Sequence, residues 1–394
     1  MSHDQREIAT PAVPRLPSDL AALLHPSRNG SSLEERMLWR CARVSLTAGD
    51  LAEVASLGAR LDAAGWERLM TRARADGVMN LLFTHIAAAG LLPRLPAPLV
   101  EQSRQDYGAV AITTRRLEIA LAHALPHLQD AGAPVIVVKG LSLVRRYYGD
   151  IALRPISDID LIIHPEDAPK GAAALHAAGF TPVTSKSQPL SKHVLRFREM
   201  QFSNARGQAI ELHVNICRYP AYQRAFPTRA IWGRARPLDG ANGCALALAP
   251  ADELCFLCMH YAVQHRIGRL IWLADVAEIA RRAPDSQTWD TPVTDVIARG
   301  IAAPVAMTLA RARALLDAPV PAAALERLRA AALTPPERRA WASATRPMSG
   351  ARWYFSQLAV VSTPVERATL LWNGATALAR RIRRGQRPFP TMPE

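Results

Sequence analysis

Residues 134–163 read PVIVVKGLSLVRRYYGDIALRPISDIDLII, and this stretch decides the fold. It contains two apolar runs rich in β-branched residues, at 134–138 and 156–163, which predict two buried strands. Asp158 and Asp160 are one residue apart on the second strand, so their carboxylates face the same side. Carboxylate oxygens suit Mg²⁺ (or Mn²⁺), which binds through one or two carboxylates plus substrate phosphates. We therefore predict a phosphate-handling metal site at this strand.

Two more strands are predicted at 196–202 and 209–214, around a turn at 204–207. Glu211 and His213 alternate with apolar residues on the later strand, so both face the same way while the apolar residues face the core. If this strand neighbours the Asp-x-Asp strand, three carboxylates converge. Glu211 would then complete the metal site and serve as a base for an acceptor hydroxyl.

The segment between the first two strands predicts a phosphate cradle. Lys139 and Gly140 occupy a strand-to-helix turn, where backbone N–H groups and a helix N-terminus favour phosphate. Ser142 would add a hydroxyl contact, and Lys139 or Arg154 would offset the charge of a triphosphate.

Arg154 and His213 each allow more than one role. Arg154 is followed by proline, which favours an extended conformation before the strand and a side chain that faces the site. A surface arginine, or a salt-bridge partner that orients Asp158, would fit the same position. His213 fits equally well as a core histidine bonded to a carbonyl or as a group beside the site.

The composition indicates a globular protein. The chain has 394 residues, which predicts two or three domains, with 49% apolar and 21% charged residues. No apolar run approaches the roughly 20 residues that span a bilayer, and the N-terminus has no apolar signal region. Five cysteines without even spacing indicate a reducing compartment, so we expect a cytoplasmic protein. The net charge of +14 favours anionic partners, but scattered arginines are more typical of a solvated surface than of nucleic-acid binding.

Breaks in the pattern divide the chain into four regions. They are a flexible leader at 1–30, an N-terminal helical region at 31–131, an α/β core at 132–248, and a C-terminal helical region with a basic tail at 249–394. Ser31 and Ser32 before Glu34 and Glu35 predict a helix N-cap with a capping box at the first helix of the second region. In the tail, Trp372 and Arg380, Arg381, Arg383 and Arg384 suit an anionic lipid or an acidic substrate, or a solvated helix end.

The segment VIVVKGLSLVRRYYGDIALRPISDIDLIIHPEDAPKGAAALHAAGF resembles the bacterial nucleotidyltransferase-family proteins of the DNA polymerase β-like superfamily. The resemblance implies an α+β fold, in which a small mixed β-sheet (a polymerase β-like palm) is flanked by N-terminal and C-terminal helical regions. It implies catalytic and metal-binding roles for Asp158, Asp160 and Glu211. It implies nucleotide or phosphate binding by Lys139, Gly140, Ser142, Arg154 and Ser157, with His213 beside the site.

The C-terminal helices supply further candidates. His260, His265, Arg269 and Asp275 would line the nucleotide cleft, or would simply pack between helices. Cys255-x-x-Cys258-x-His260 has a spacing that suits zinc, but it lies in an apolar helical stretch without a second pair. Free cysteine is a common small core residue, so packing is the simpler interpretation.

Three functions fit the sequence. The first is an Mg²⁺-dependent nucleotidyltransferase that moves a nucleoside monophosphate from an NTP, with ATP as the first candidate, to a hydroxyl or phosphate of a small molecule, peptide or protein. The second transfers a glycosyl or other phosphate-linked group from a nucleotide-sugar, since Asp-x-Asp also serves that chemistry. The third is a non-catalytic nucleotide- or nucleic-acid-binding module. An aromatic content of 6% without aromatic–basic interleaving disfavours a stacking platform for single strands.

Overall fold

The computed structural model describes residues 20–183, 199–214, 228–241, 243–282 and 289–345, with isolated positions elsewhere. Within these residues the chain has the predicted α+β fold: helices, then a mixed sheet, then helices again. Most of the expected leader and most of the arginines of the basic tail lie outside the described residues. The leucines of residues 20–24 are buried in the core, so packing begins before residue 31.

The N-terminal region is helical up to the sheet. Its helices are α1 (Leu20–Leu23), α2 (Leu33–Cys41), α3 (Ala48–Gly58), α4 (Ala63–Asp76), α5 (Met79–Ala88) and the long α6 (Ala97–Asp130). The predicted capping box is confirmed, because the Ser32 hydroxyl accepts from the Glu35 amide and the Glu35 carboxylate accepts from the Ser32 amide. Thr47 and Asp50 repeat the arrangement at α3. These caps satisfy N–H groups that a helix leaves unpaired.

The sheet contains seven strands in the described residues, in the order β3-β4-β5-β2-β1-β7-β6. They are β1 (Val135–Val138), β2 (Asp158–Ile163), β3 (Thr181–Pro182), β4 (Glu199–Ser203), β5 (Ala209–His213), β6 (Arg236–Pro237) and β7 (Leu246–Ala247). β1 pairs with β2 antiparallel, whereas β2 pairs with β5 parallel. The predicted turn joins β4 to β5 as a hairpin, where the Asn204 side chain accepts from the Arg206 amide.

The two faces of the sheet pack differently. On one face, alternate residues such as Ile159, Leu161, Ile210 and Leu212 pack against the C-terminal half of α6 and against α8 (Ala168–Ala177). α8 lies so close to β2 that a Cβ at Gly171 would be 2.4 Å from the Ile163 side chain. On the other face, apolar residues of β1 pack against the remaining helices, while β2 and β5 present polar residues.

The remaining helices follow the sheet residues. They are α7 (Gly140–Leu143) continued by a π-helical turn at Val144–Tyr148, α9 (Thr228–Arg234), α10 (Pro250–Met259) continued by a π-helical turn at His260–Gln264, α11 (Leu270–Arg281), α12 (Asp290–Ala298), α13 (Ala302–Leu316), α14 (Ala322–Ala332) and α15 (Pro335–Thr345). Within the described part of the chain, none of the helices combines the length and apolar character needed to cross a membrane.

Buried polar contacts join the sheet region to the C-terminal helices. Arg154 binds Asp275 of α11 through two parallel bonds, Nε to Oδ1 at 2.8 Å and Nη2 to Oδ2 at 2.7 Å. The Tyr148 hydroxyl donates to the same carboxylate at 2.7 Å. A second contact forms at Glu253 of α10, which accepts from the Tyr147 hydroxyl at 2.9 Å and pairs with Arg146 at 2.7 Å.

We expect the Arg154–Asp275 pair to dominate the stability of this junction. Removing one partner leaves a charge buried without compensation, because the two side chains are 6% and 0% exposed. Asp275→Asn should therefore lower the free energy of unfolding by about 3–5 kcal/mol in urea denaturation followed by circular dichroism.

The control breaks a pair that water can reach. Lys170→Ala removes the partner of Asp167, and the Lys170 side chain is 59% exposed, so the loss should be about 1 kcal/mol or less. Equal losses in the two variants would contradict the dominance of the buried pair.

Candidate active site

The candidate site lies where β2 and β5 run side by side. Because these strands are parallel and in register, Asp160 lies directly opposite Glu211, and Asp158 lies opposite Ala209. Period-two alternation puts Asp158, Asp160, Glu211 and His213 on the same face of the sheet. The two strands are neighbours, which is the condition for the three carboxylates to converge.

Asp160 is the centre of the polar contacts. It is 4% exposed, and its Oδ1 atom is 2.6 Å from Lys139 Nζ and 3.0 Å from His213 Nε2. His213 Nε2 also lies 3.4 Å from Glu211 Oε2. Lys139 is the last residue before α7 and follows β1, the other neighbour of β2. Three adjacent strands therefore direct charged groups to one point.

These contacts separate the pKa values of the carboxyl groups. Burial and the charges of Asp160 and Glu211 raise the pKa of Asp158 to about 6. Burial would also raise the pKa of Asp160, but Lys139 and His213 outweigh it and lower that pKa to about 2. The hydrogen bond from His213 lowers the pKa of Glu211.

The charge of His213 follows from the same cluster. Burial disfavours the charged imidazole, but the bonds to Asp160 and Glu211 outweigh it and raise the pKa of His213 to about 9. At neutral pH the site therefore holds an imidazolium and an ammonium among three carboxyl groups. The carboxylates remain in slight excess when Asp158 is ionised, which suits a cationic or metal-bound ligand.

Lys139 has an unusual backbone. Its φ of 52° and ψ of −138° lie in a region that glycine occupies readily and L residues rarely do. A residue is held there only when its surroundings over-determine the conformation, and such positions cluster at functional sites. The consequence here is that the side chain of Lys139 reaches Asp160 instead of following the strand alternation.

The residues fit a divalent cation. Ligand atoms of Asp160, Glu211 and His213 all lie within 4.8 Å of one another. This set contains His213 in place of Asp158, whereas the predicted set was Asp158, Asp160 and Glu211. His213 lies opposite Ile162 in the strand pairing, and its side chain extends back far enough to contact Asp160. Asp158 is outside the tight set, yet its charge is coupled to both carboxylates. Hard carboxylate oxygens favour Mg²⁺ or Mn²⁺; His213 would act as a ligand, and extend the choice to other metals, only after losing its proton.

The other predicted phosphate-binding residues have varied positions. Gly140 is buried at the start of α7, where a Cβ would lie 3.0 Å from the Ile156 side chain. Ser157 is exposed and its hydroxyl donates to Asp158 Oδ1 at 3.2 Å. Ser142 is fully buried, with its hydroxyl 3.4 Å from a carboxylate oxygen of Glu253. The structure therefore brings Ser157 to the carboxylates and directs Ser142 toward α10.

The predicted accessory residues lie on the C-terminal helices. Arg154, which precedes β2, forms its salt bridge with Asp275 of α11 and not with Asp158, so the partner differs from the one expected, and the charge of Asp160 also acts on it. His260 is buried and in ring contact with His265, whose centroid is 4.3 Å away. Arg269 is exposed, and its Nε donates to the Ala75 carbonyl at 3.0 Å.

Cys255 and Cys258 are buried in the apolar core. Burial raises the pKa of Cys255 to about 12, which disfavours the thiolate that zinc requires. In the described residues, the group with the spacing of a metal site is the one at Asp160 and not the cysteine pair.

Gln201 and Glu253 also contribute, and neither was predicted from the sequence. Gln201 of β4 lies opposite Glu211, and its amide donates to Glu211 Oε1 at 3.4 Å. Its position on the alternating face of the predicted strand was a usable signal. Glu253 binds Ser142, Arg146 and Tyr147, which are more than 100 residues away in sequence, and no local pattern indicates such a contact.

Residues 62–317 match the model of a family described as uncharacterised nucleotidyltransferase. The match covers more than half of the chain, from α4 to the end of α13, and includes the whole sheet and the site. The chain therefore belongs to this nucleotidyltransferase family. A comparison with curated proteins found no significant match.

The backbone strain at Lys139 can be measured with a pair of variants. Lys139→Gly and Lys139→Ala both remove the ammonium group, but only glycine relieves the positive φ. We expect Lys139→Gly to have the higher free energy of unfolding, by about 1 kcal/mol.

The same exchange in a helix should reverse the order. Lys170→Gly in α8 should be less stable than Lys170→Ala, by up to about 1 kcal/mol. If Lys139→Ala were as stable as Lys139→Gly, the strained backbone at this turn would be refuted.

Proposed function

We propose that this protein is an Mg²⁺-dependent nucleotidyltransferase that moves a nucleoside monophosphate from an NTP, with ATP as the first candidate, to an acceptor hydroxyl or phosphate. The observation that carries the proposal is the register of β2 and β5, which puts Asp160 beside Glu211 with Asp158 on the same face. Membership of a nucleotidyltransferase family supports the class of reaction. The acceptor is a small molecule, a peptide or a protein.

Asp158, Asp160 and Glu211 would hold the metal. When bound, the metal would neutralise triphosphate charge and polarise the reacting phosphate. Mg²⁺ usually binds through few protein carboxylates and several substrate oxygens. Lys139 and His213 already offset part of the charge of Asp160, so a metal that arrives with its triphosphate suits this site better than a bare ion.

The remaining roles follow from exposure and charge. The Glu211 side chain is 25% exposed against 5% for Asp160, so an acceptor hydroxyl can reach it. Its lowered pKa keeps it ionised at neutral pH, as a proton acceptor must be. We assign the base role to Glu211, charge compensation to Lys139, and phosphate contacts to the Gly140 amide and the Ser157 hydroxyl.

We assign Arg154 a positioning role. The Nε and Nη2 groups of its guanidinium both donate to Asp275, so it tethers the segment entering β2 to α11. Ser142 is assigned to the junction with α10 for the same reason, because its buried hydroxyl is near Glu253.

The decisive assay follows label from the NTP into products. Protein with Mg²⁺ is incubated with each NTP labelled at the α- or γ-phosphate and with pools of sugars, aminoglycosides, peptides and cell metabolites. Nucleotidyl transfer predicts α-label in a product and release of pyrophosphate, abolished by EDTA. Transfer of γ-label alone, or activity only with nucleotide-sugars, would contradict the proposal.

Amide variants identify the residues. Asp158→Asn, Asp160→Asn and Glu211→Gln should each reduce the transfer rate by about 100-fold or more, because each removes charge from the reacting centre. Glu166→Gln is the matched control, since Glu166 is exposed and lies beyond the far end of β2. Activity that survives all three site variants would place the chemistry elsewhere.

A further inference from the structure

A cluster of three aromatic rings lies on the C-terminal helices next to the site. His260 follows α10, His265 follows its π-helical turn, and Trp272 is in the first turn of α11. The ring centroids of His265 and Trp272 are 4.0 Å apart, and those of His260 and His265 are 4.3 Å apart. His260 is buried, whereas His265 and Trp272 are partly exposed. The rings of His265 and Trp272 are thus accessible to a ligand, and the buried ring of His260 lies behind them.

The loop that presents the cluster is strained. Arg266 and Ile267 have φ values of 49° and 60°, and Ile267 is β-branched, for which a positive φ is a marked outlier. Gly268 touches the indole so closely that a Cβ would be 2.4 Å from Trp272 Cζ3. A π-helical turn and two consecutive strained residues frequently accompany functional sites.

The cluster is connected to the carboxylate site. Trp272 and Asp275 are one turn apart on the same side of α11, and Asp275 holds Arg154, four residues before Asp158. Burial lowers the pKa of His260 well below the usual value, and the positive charges of Lys139, Arg154 and His213 lower it further. His260 is therefore close to the charged site and neutral at pH 7.

His260 has an unsatisfied polar atom. Its Nδ1 is buried and has no hydrogen-bond partner within the described part of the chain. A buried polar atom without a partner is costly, and each one in a native structure calls for a physical reason. A ligand that offers a hydrogen-bonding ring edge would satisfy it. A cationic ligand would not suit this position, because Lys139, Arg154 and His213 are nearby cations.

We propose that the cluster of His260, His265 and Trp272 binds the nucleobase of the donor nucleoside triphosphate. The cations and carboxylates at β2 suit the charged triphosphate with its metal, and the adjacent aromatic rings suit its planar, uncharged base. A nucleoside triphosphate joins these two chemistries in one molecule. The inference rests on the proposed nucleotidyltransferase function and adds the surface that recognises the base.

The experiment compares a triphosphate with and without a base. Binding of ATP, GTP, CTP, UTP and inorganic tripolyphosphate is measured by isothermal titration calorimetry with Mn²⁺ present. His265→Leu should weaken the tightest-binding NTP by about tenfold or more, because stacking on an aromatic ring is lost, and should leave tripolyphosphate unchanged. His265→Phe keeps a ring and should retain most of the NTP affinity.

A second measurement uses the unmodified protein. With ¹³C-labelled histidine, the His265 and His260 ring signals should shift on addition of the NTP and much less with tripolyphosphate, with His265→Phe providing the assignment. The proposal is overturned if the NTP binds, His265→Leu has no effect on its affinity, and the ring signals shift equally with the NTP and with tripolyphosphate. If neither the NTPs nor tripolyphosphate bind at all, the proposed function falls as well, so the two failures are distinguishable.

Discussion

The parallel, in-register pairing of β2 with β5 is the constraint on which the site depends. It sets Asp160 beside Glu211 and brings His213 back to the same carboxylate. A shift of one residue would turn Glu211 into the apolar layer under α6 and α8 and would expose its neighbours Ile210 and Leu212. The packing of this apolar layer against α6 and α8 therefore also fixes the strand register, and the register brings the acidic side chains together.

The helices hold this sheet in place through buried polar contacts. Arg154 and Asp275 form a two-bond ion pair in the interior, and Glu253 gathers Arg146 and Tyr147 from the segment between β1 and β2. Buried pairs of this kind contribute less to net stability than to specifying one arrangement, since a misplaced partner leaves a charge unsatisfied. Here they determine how α10 and α11 approach the site.

Local pattern was enough to predict much of this fold. Alternation and β-branching predicted β1, β2, β4 and β5 to within a few residues, and Gly207 marked the hairpin turn correctly. β6 and β7 have two residues each, too short for a periodic pattern. The parallel direction of β2 and β5 was also beyond local pattern, because it depends on the path of the chain between them.

Some features of the site could likewise be predicted from the sequence, and others depend on tertiary packing. Residue type and spacing predict that Asp158 and Asp160 share a face, because acids on alternating positions of one strand must do so. That Glu211 joins them depends on the pairing of β2 with β5, which the spacing does not determine. The positive φ of Lys139 could not be predicted, since lysine has no preference for it and only the surrounding packing imposes it. The partner of Arg154 lies 121 residues away in sequence, and tertiary packing alone selects it among the available acids.

The most direct test is a crystal structure with Mn²⁺ and a non-hydrolysable NTP, read by the anomalous signal of the metal. Convergence of the carboxylates predicts an anomalous peak within coordination distance of Asp160 and Glu211 oxygens, bridged to the triphosphate, with Lys139 Nζ moved toward phosphate. A nucleotide and metal bound elsewhere, with Asp160 still paired to Lys139 and His213, would contradict it.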